Sequence, residues 1–363
     1  MKKFAVYLPQ FHEIPENNEW WGEGFTEWVS VKNAKALFEG HIQPKHPLGR
    51  NYYNLLEKKT VLWQTELAQT FGIDGFAYYH YYFNGKHLLE KPAENLLNWK
   101  EIDQKFFFIW ANHPWKRTWE GKQTVLMPME YGKETDWEMH FQYLLPFFKD
   151  DRYEKKDNMP LFGVFNSLID CKNEMLGYLN KRAVQEGFSG IFFIESFDPG
   201  RLIPFPFDYY KQMLEMSCYT KAVQIRQPVF GTSETSSLIK KLKNRKNKSN
   251  YDEPEIYEGN SILENTMKLH IPKTKKDVIP VVMFEWDNTP RHKERGYIVT
   301  PLDKKHFNNY MDSIKDSEYI LFNAWNEWAE GMILEPTEEN GYRYLEWIKE
   351  WTENNESGTP YNT

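Results

Sequence analysis

The segment Tyr319–Glu330, with the sequence YILFNAWNEWAE, combines the residue types that glycosidic-bond chemistry requires. Its two glutamates, Glu327 and Glu330, are three positions apart and can serve as an acid and a base. The same segment offers amide groups for sugar hydroxyls and flat indole faces for sugar rings: Asn323, Asn326, Trp325 and Trp328. A competing explanation is a strand that leads into a helix, whose first-turn glutamates only favour the helix dipole.

The spacing of the two glutamates suits one class of glycosidase. Side chains three apart on a helical turn have Cβ atoms roughly 5–6 Å apart. Retaining enzymes need carboxyl groups about 5–5.5 Å apart, whereas inverting enzymes need about 6.5–9.5 Å to admit a water. Two carboxylates this close, walled by Trp325 and Trp328, cannot both ionise at low cost. We therefore expect one pKa of the pair to rise towards neutrality, so that this group can donate a proton.

Strand-like and helix-like segments alternate along the chain, which predicts a parallel sheet covered by helices. The predicted strands are Phe4–Pro9, Gly75–Phe83, Phe106–Asn112, Pro160–Phe165, Gly190–Glu195, Ile279–Glu285 and Tyr319–Trp325, with an eighth needed within Ser217–Ile225. The predicted helices are Glu57–Phe71, Pro92–Trp99, Asp136–Lys149, Asn173–Gly187, Asp208–Glu215, Asp303–Lys315 and Gly341–Thr352. The sequence thus predicts an α/β fold, a single (β/α)8 TIM-type barrel domain over residues 1–363.

In such barrels the catalytic groups lie on the loops that follow the strands. Polar and aromatic residues at these strand ends are Gln10, His12, His80, Tyr82, Trp110, Asn112, His113, Asn166, Glu195, Glu285, Trp286, Asp287 and Asn323. His80 or Asn166 taken alone is better explained as a structural residue. Because the set converges on one rim, we expect it to form a single sugar-binding pocket with Glu327.

The first βα loop, Phe11–Tyr53, is too long for a plain connection and is rich in aromatic residues. One interpretation is a satellite core packed under the loop. The other is a wall of the sugar groove formed by the loop's aromatic residues and Glu23 or Glu27, with Trp21 stacking on the substrate and with Gln10 and His12 at its floor.

Composition narrows the class of partner. A net charge of −7 argues against nucleic-acid binding, and aromatic residues make up 17% of the chain, a surplus that suits a sugar-binding groove. The basic run Lys240–Lys248 is interpreted as a solvated loop, and its alternative is peripheral contact with a membrane or anionic polymer. No transmembrane stretch is present, so we expect a cytoplasmic protein unless a leader was removed.

Several reaction classes lack their motifs. No Gly-x-Gly-x-x-Gly, Walker loop or Gly-x-Ser-x-Gly elbow occurs. The ten histidines and two cysteines show no metal-ligand spacing, so we expect neither a metal nor another cofactor. Acid–base chemistry by carboxylates on an oligosaccharide or polysaccharide is the interpretation that remains.

The sequence resembles the WbsX-like proteins, described as glycosyltransferases of O-antigen and capsule clusters, and more distantly glycoside hydrolase family 99. The resemblance extends over nearly the whole chain and rests on Ala5–Trp28, Gly72–Phe83, Phe108–Trp115, Phe284–Arg291 and Asn323–Pro336. It implies a (β/α)8 barrel in which Glu327 assists attack by the 2-hydroxyl of the substrate and Glu330 is the acid/base. This mechanism suits manno-configured sugars. Ala329 stands where family 99 usually has histidine, which leaves the substrate open.

Three functions of different classes remain open. The first is a retaining glycoside hydrolase that acts on a bacterial or mannose-like glycan. The second is a glycosyltransferase of surface-polysaccharide synthesis, which would need a nucleotide-diphosphate site that the sequence does not show. The third is a non-catalytic glycan-binding barrel, which would have no need of paired glutamates.

Overall fold

Eight parallel strands form the central sheet, and each is a run of mostly buried apolar residues. The computed structural model describes residues 1–117, 124–197, 216–228, 253–268 and 276–357. The barrel strands are β1 Lys2–Tyr7, β2 Gly75–Phe83, β3 Lys105–Trp110, β4 Met159–Val164, β5 Phe192–Phe197, β6 Thr220–Ile225, β7 in two pieces (Asp277–Ile279 and Val281–Val282) and β8 Tyr319–Phe322. Strands buried on both faces are typical of a parallel sheet under helices.

The sheet closes on itself through β7. The first piece of β7 pairs with β6, and the second piece pairs with β8, which in turn pairs with β1. Pro280, between the two pieces, has no N–H to donate, but its carbonyl accepts a hydrogen bond from Leu321 at 2.9 Å. The predicted (β/α)8 TIM-type barrel is confirmed, and its eighth strand lies within Ser217–Ile225 as expected.

Ten α-helices lie among the described residues, mostly between the strands. They are α1 Pro15–Trp21, α2 Glu27–Lys32, α3 Lys58–Thr70, α4 Lys91–Asn98, α5 Glu134–Phe148, α6 Lys172–Gln185, α7 Gly259–Lys268, α8 Thr289–His292, α9 Lys304–Ser313 and α10 Arg343–Ser357. None of the helices in the described ranges is long and apolar enough to cross a membrane. The predicted helix Asp208–Glu215 and the basic run Lys240–Lys248 lie outside the described residues.

Two strands, β7 and β8, end three residues earlier than the sequence predicts. Strand β7 stops at Val282, because the carbonyl of Phe284 accepts a hydrogen bond from Leu302 at 2.8 Å and its ring packs on Tyr344. Strand β8 stops at Phe322, and the following residues turn into a hairpin. These early ends free the two segments that carry the acidic residues from the regular sheet.

Short strands and turns complete the rim. Trp286–Asp287 and Glu255–Tyr257 flank Tyr297–Val299 in a small sheet, and Asn326–Glu327 pairs with Met332–Ile333. Further pairings join Trp115–Arg117 with Thr124–Met127, Lys86–Leu88 with β2, and Lys155–Lys156 with β4. Single 3-10 turns occupy Leu48–Arg50, Lys293–Arg295 and Trp328–Glu330.

The first loop folds into a partly buried layer. Phe11 and Trp28 have ring centroids 4.6 Å apart, and Tyr53 lies 5.0 Å from Trp28. The Trp28 indole also lies 5.4 Å from Trp328, so this layer packs directly against the segment that carries the two glutamates. The aromatic residues of the loop thus belong to the main hydrophobic core and not to a separate satellite core, and their packing places α2 beside the candidate site.

Candidate active site

A short hairpin after β8 positions the two glutamates. The side chain of Asn326 accepts a hydrogen bond from the Leu8 amide at 2.8 Å and donates to the Leu8 carbonyl at 3.1 Å, which fixes the hairpin to the end of β1. Glu327 ends the first arm, and Glu330 lies in the 3-10 turn. Gly331 closes that turn with a φ of 66°, a left-handed conformation that glycine adopts without strain.

Both carboxylate oxygens of Glu330 accept hydrogen bonds. Oε1 forms an ion pair with the Arg291 guanidinium at 2.5 Å, and Oε2 accepts from the Trp286 indole at 3.1 Å. The Trp286 ring stacks on Tyr297 with an interplanar angle of 8°, which fixes the direction of its N–H. These two donors fix the orientation of the Glu330 carboxylate.

Arg291 bridges the hairpin to the first loop. Its second guanidinium nitrogen lies 2.5 Å from Oε1 of Glu27, a buried residue at the start of α2. Burial opposes the charge of Arg291, but the neighbouring Glu27, Glu330 and Glu327 raise its pKa above the usual value. The single positive charge of Arg291 therefore interacts with three acidic residues.

Glu327 is buried beside the charge of Glu330, and its pKa is raised. Burial raises its pKa, the charge of Glu330 raises it further, and the result is about 8 despite the opposing effect of Arg291. The expectation that one glutamate of the pair has a pKa near neutrality is thereby met. The proton falls on Glu327, whereas the family resemblance implies that Glu330 is the acid.

Two tyrosines of β2 face the pair. Tyr79 forms a hydrogen bond with Glu327, and the pKa of Tyr81 is raised by burial and by the charge of Glu327. Across the mouth, Phe165 packs on Tyr79 at 6.1 Å and on His113 at 5.2 Å. Burial lowers the pKa of His113 to about 4.

Arg226 joins this inner rim from the end of β6. Its guanidinium lies 4.3 Å from the Phe165 ring centroid, and its charge contributes to the low pKa of His113 after burial. Sequence reasoning missed Tyr79, Tyr81, Arg226 and Arg291 as members of the site. Strand periodicity places Tyr79 and Tyr81 on the same face of β2, but it does not indicate which face points into the barrel.

Three of the expected site residues face away from the barrel mouth. His80 contacts the His140 ring nitrogen of α5 at 2.9 Å, and Tyr82 stacks on the same imidazole at 4.0 Å. Trp110 is buried and donates to the Tyr82 carbonyl at 3.0 Å. The prediction that these residues line the pocket does not fit this placement, because each lies on the outer face of its strand.

Other polar residues at the strand ends are satisfied within the protein. Glu195 is buried, forms an ion pair with Lys172 at 2.7 Å and accepts from the Ser217 amide at 2.8 Å. Asp287 accepts from His41 at 2.9 Å and from Gln43 at 2.7 Å.

The Asn112 amide exchanges hydrogen bonds with the backbone of Asn166 at 2.6 and 2.9 Å. The prediction of one pocket that contains Trp110, Asn112, His113, Glu195, Trp286, Asp287 and Glu327 is therefore wrong for Trp110 and Glu195, whose contacts point into the helix layer. Asp287 and Asn112 hold the loops that carry the rim.

The two tryptophans of the hairpin segment do not wall the glutamates. Trp325 is fully buried and packs on Phe76 at 4.9 Å, and Trp328 is buried and donates to Glu335 at 2.7 Å. The expectation that their faces stack on a sugar does not fit this burial. They form the floor on which the hairpin rests.

The remaining predicted residues lie around the first loop and β8. The Gln10 carbonyl accepts from the Glu27 amide at 3.1 Å, and burial lowers the pKa of His12 to about 4. The Trp21 ring is partly exposed and lies 5.2 Å from the Arg117 guanidinium. Asn323 is partly buried and contacts the Met332 sulfur at 3.2 Å. Of the predicted set, Trp286 and Glu330 are joined by a direct hydrogen bond.

Within the part of the chain that the structure describes, no group of three or more His, Cys, Asp or Glu residues could hold a metal ion.

Solved structures share the fold. A "Glycoside hydrolase-like protein" superposes with a TM-score of 0.59 and 13% identity, covering 96% of this chain and 93% of that chain. The GH99 endo-alpha-mannosidase from Bacteroides thetaiotaomicron, in complex with BIS-TRIS-propane, gives a TM-score of 0.56 and 13% identity, with coverage of 98% and 97%. A second structure of that enzyme gives 0.53 and 14% identity. At this identity the likeness shows the barrel fold alone.

Sequence comparison identifies the family. The protein described as "Uncharacterized protein WxcX", from two strains of Xanthomonas campestris pv. campestris, is 28% identical over 365 aligned positions, which cover 94% of this chain. The alignment covers 48% of the WxcX protein, so the chain spans about half the length of these relatives. The family described as "Glycosyltransferase WbsX" matches residues 3–348. The chain therefore belongs to the WbsX glycosyltransferase family, a carbohydrate-active family, and has the barrel fold of the GH99 structures.

Proposed function

We propose that the chain is a retaining glycoside hydrolase that cleaves a glycosidic bond in a bacterial or manno-configured glycan. The observation that carries this proposal is the hairpin that holds Glu327 and Glu330 in one charge cluster at the barrel mouth. Glu327 has a pKa of about 8, and Glu330 accepts from Arg291 and Trp286. A carboxyl group with a raised pKa beside a second one that accepts from a cation and an N–H donor provides the acid and the base that retaining chemistry needs.

The protonation states suggest the order of steps. Glu327 donates its proton to the glycosidic oxygen as the bond to the anomeric carbon breaks. Glu330, as the carboxylate, accepts the proton of the substrate's 2-hydroxyl, whose oxygen then bonds to the anomeric carbon. Water opens this intermediate in the second half of the reaction, with each glutamate reversing its role. The assignment exchanges the roles that the family resemblance implies.

The description of the family favours glycosyl transfer as the second candidate. A transferase would use the same rim, but would pass the sugar to a hydroxyl of an acceptor glycan rather than to water. Oligosaccharide or polysaccharide is the substrate in both cases. The non-catalytic glycan-binding barrel is the less favoured third candidate, because it gives no reason for a buried glutamate beside an ion-paired one.

One assay separates the three candidates. Purified protein is incubated in 18O-labelled water with surface polysaccharides that contain manno-configured sugars, and separately with nucleotide sugars plus acceptor glycans. Hydrolysis gives new reducing ends that carry one 18O atom. Transfer gives a longer glycan and a free nucleoside phosphate. Binding without either product supports the third candidate, and both hydrolysis and transfer are expected to vanish in Glu330→Gln if this pair is catalytic.

A further inference from the structure

We infer that Glu27 and Arg291 act as a positioning pair that orients the Glu330 carboxylate and sets how readily Glu327 gives up its proton. The inference rests on the proposed function, since it assigns a task to residues around the same pair. Neither residue is required to touch the substrate. Their task is to act through Glu327 and Glu330.

The geometry supports this task. Arg291 uses its two terminal nitrogens separately, each 2.5 Å from one carboxylate oxygen, with Glu330 on one side and Glu27 on the other. Glu27 belongs to the first βα loop, Arg291 to the seventh and Glu330 to the eighth. A bridge across three loops fixes the direction of the guanidinium, which a single ion pair would leave free to rotate.

Glu27 is itself unusual for a residue in a loop. It is 3% exposed, and its Oε2 atom has no hydrogen-bond partner among the described residues. Burial raises the pKa of Glu27, and Arg291 is the group that opposes this rise. A buried carboxylate is costly without a paired cation, so Glu27 and Arg291 stabilise each other's charged forms.

The two members of the pair act on Glu327 with opposite signs. The negative charge of Glu27 raises the pKa of Glu327, whereas the positive charge of Arg291 lowers it. Arg291 also forms the ion pair with Glu330, so one guanidinium orients one glutamate and acts on the charge of the other.

Other charged and titratable groups near the pair come from several elements: Tyr79 and Tyr81 on β2, Arg226 after β6, His292 on α8, and the two glutamates themselves. Each of these is unchanged in variants of Glu27 and Arg291. A shift in those variants is therefore attributable to the pair.

The test is a carboxyl titration by NMR on protein labelled with 13C at the glutamate δ carbon. The Glu327 signal is assigned by its loss in Glu327→Gln. Glu27→Gln is expected to lower the Glu327 titration midpoint, and Arg291→Gln to raise it, each on the order of one pH unit. Arg291→Lys retains the charge and is expected to return the midpoint towards that of the unmodified protein.

A matched control is the ion pair between Arg182 and Glu138, 2.8 Å apart on α6 and α5. Glu138→Gln is expected to leave the Glu327 midpoint unchanged. Shifts of the same sign in the Glu27 and Arg291 variants, or no shift beyond that control, would overturn the inference. If Arg291→Gln fails to fold, Glu27→Gln decides alone, because an absent downward shift contradicts the assignment.

Activity provides the second readout. Where a glycan is cleaved, the basic limb of the pH profile of kcat/KM follows Glu327, so it moves down in Glu27→Gln and up in Arg291→Gln. Opposite NMR shifts without any glycan turnover would support the positioning pair and reject the hydrolase. Turnover without opposite shifts would support the hydrolase and reject the pair.

Discussion

The barrel mouth and the outer face of the sheet beneath α5 both contain pairs of titratable side chains. The outer face holds its pair in the uncharged form, whereas the mouth keeps charge that is only partly compensated. On the outer face, His80 and His140 contact each other at 2.9 Å, and burial lowers the pKa of both far below the usual value. At the mouth, Glu327 and Glu330 lie close enough to perturb each other's charge, and Arg291 neutralises only part of it. A cluster of charged groups that the protein compensates only in part is what indicates a catalytic site. A polar residue at the end of a strand does not indicate one by itself.

A raised pKa alone does not mark a functional group. Burial raises the pKa of Glu335 to about 7, close to that of Glu327. Glu335, however, accepts from Tyr53 at 2.7 Å, Gln64 at 2.6 Å and Trp328 at 2.7 Å. Both of its oxygens accept hydrogen bonds from the protein, which identifies a structural carboxyl group eight positions after the one at the mouth.

The largest effect is expected at the glutamate pair. Glu330→Gln should remove turnover of all glycosides, because the carboxylate is lost. Glu327→Gln should lower kcat by about 10²–10⁴-fold for sugars with poor leaving groups, since those need a proton donor. With a dinitrophenyl glycoside, whose leaving group needs no proton, Glu327→Gln should retain much of its activity.

Steady-state kinetics on natural and activated substrates measure this difference. If Glu330→Gln is the variant rescued by the good leaving group, the roles follow the family resemblance and the assignment from protonation states is wrong. Circular dichroism and the thermal midpoint serve as controls for folding.

The next effect concerns stability and involves Glu195, on the outer side of β5. Glu195→Gln leaves the buried Lys172 ammonium without its counter-charge, which is expected to destabilise the fold by about 3–5 kcal/mol. The activity per folded molecule should not change, because this carboxyl group faces the helix layer. Urea unfolding followed by fluorescence measures the loss of stability, and kcat at low temperature measures the activity per folded molecule. A loss of kcat with an unchanged urea midpoint would mean that Glu195 belongs to the active site.

A smaller effect is expected from the buried histidines. The pKa of His80 and His140 is lower in the folded than in the unfolded chain, where it is about 6.5, because burial disfavours the imidazolium. Such a group stabilises the fold above the unfolded pKa, and this contribution is lost as the pH falls below it. Each histidine should cost about 1.4 kcal/mol per pH unit below 6.5, until its folded pKa is reached.

Urea midpoints between pH 7.5 and 5.5 test this dependence. His80→Gln retains a hydrogen-bonding group beside His140 but removes one titrating site, so its stability should fall less steeply with acid. An identical slope in the two proteins would show that other groups control the acid limb.

The sequence predicted the eight strands well, because each is a dense apolar run between polar segments. It could not predict which face of a strand each aromatic residue occupies. In Gly75–Phe83, with the sequence GFAYYHYYF, polar and apolar residues do not alternate, so the pattern contains no signal for register. His80 and Tyr82 were therefore expected in the site, whereas Tyr79 and Tyr81 are the residues of this strand that face the two glutamates.

The bridge that Arg291 forms between Glu27 and Glu330 could not be predicted from the sequence, for a different reason. Glu27 and Arg291 are 264 positions apart, and their contact depends on how three loops meet at the closed barrel. Local periodicity reports on neighbours along an element and contains no information on such a meeting. The glutamate spacing was readable because a single turn contains both residues.

The smallest expected effect compares two hydroxyl deletions on one strand. Tyr79→Phe removes a hydrogen bond to Glu327, and Tyr82→Phe removes one to the Asp136 carbonyl at 3.2 Å. Each lost hydrogen bond should cost about 0.5–1.5 kcal/mol. For Tyr79→Phe this cost should appear in the pKa of Glu327 and in turnover, and for Tyr82→Phe it should appear in the free energy of unfolding. Since the Tyr79 hydrogen bond lowers the pKa of Glu327, its loss should raise that pKa, move the basic limb of kcat/KM upward and slow turnover a few-fold. Tyr82→Phe should lower only the urea midpoint, because its hydroxyl points into the helix layer. A pH shift in Tyr82→Phe, or none in Tyr79→Phe, would mean that the two faces of β2 are not divided between chemistry and packing as the contacts indicate.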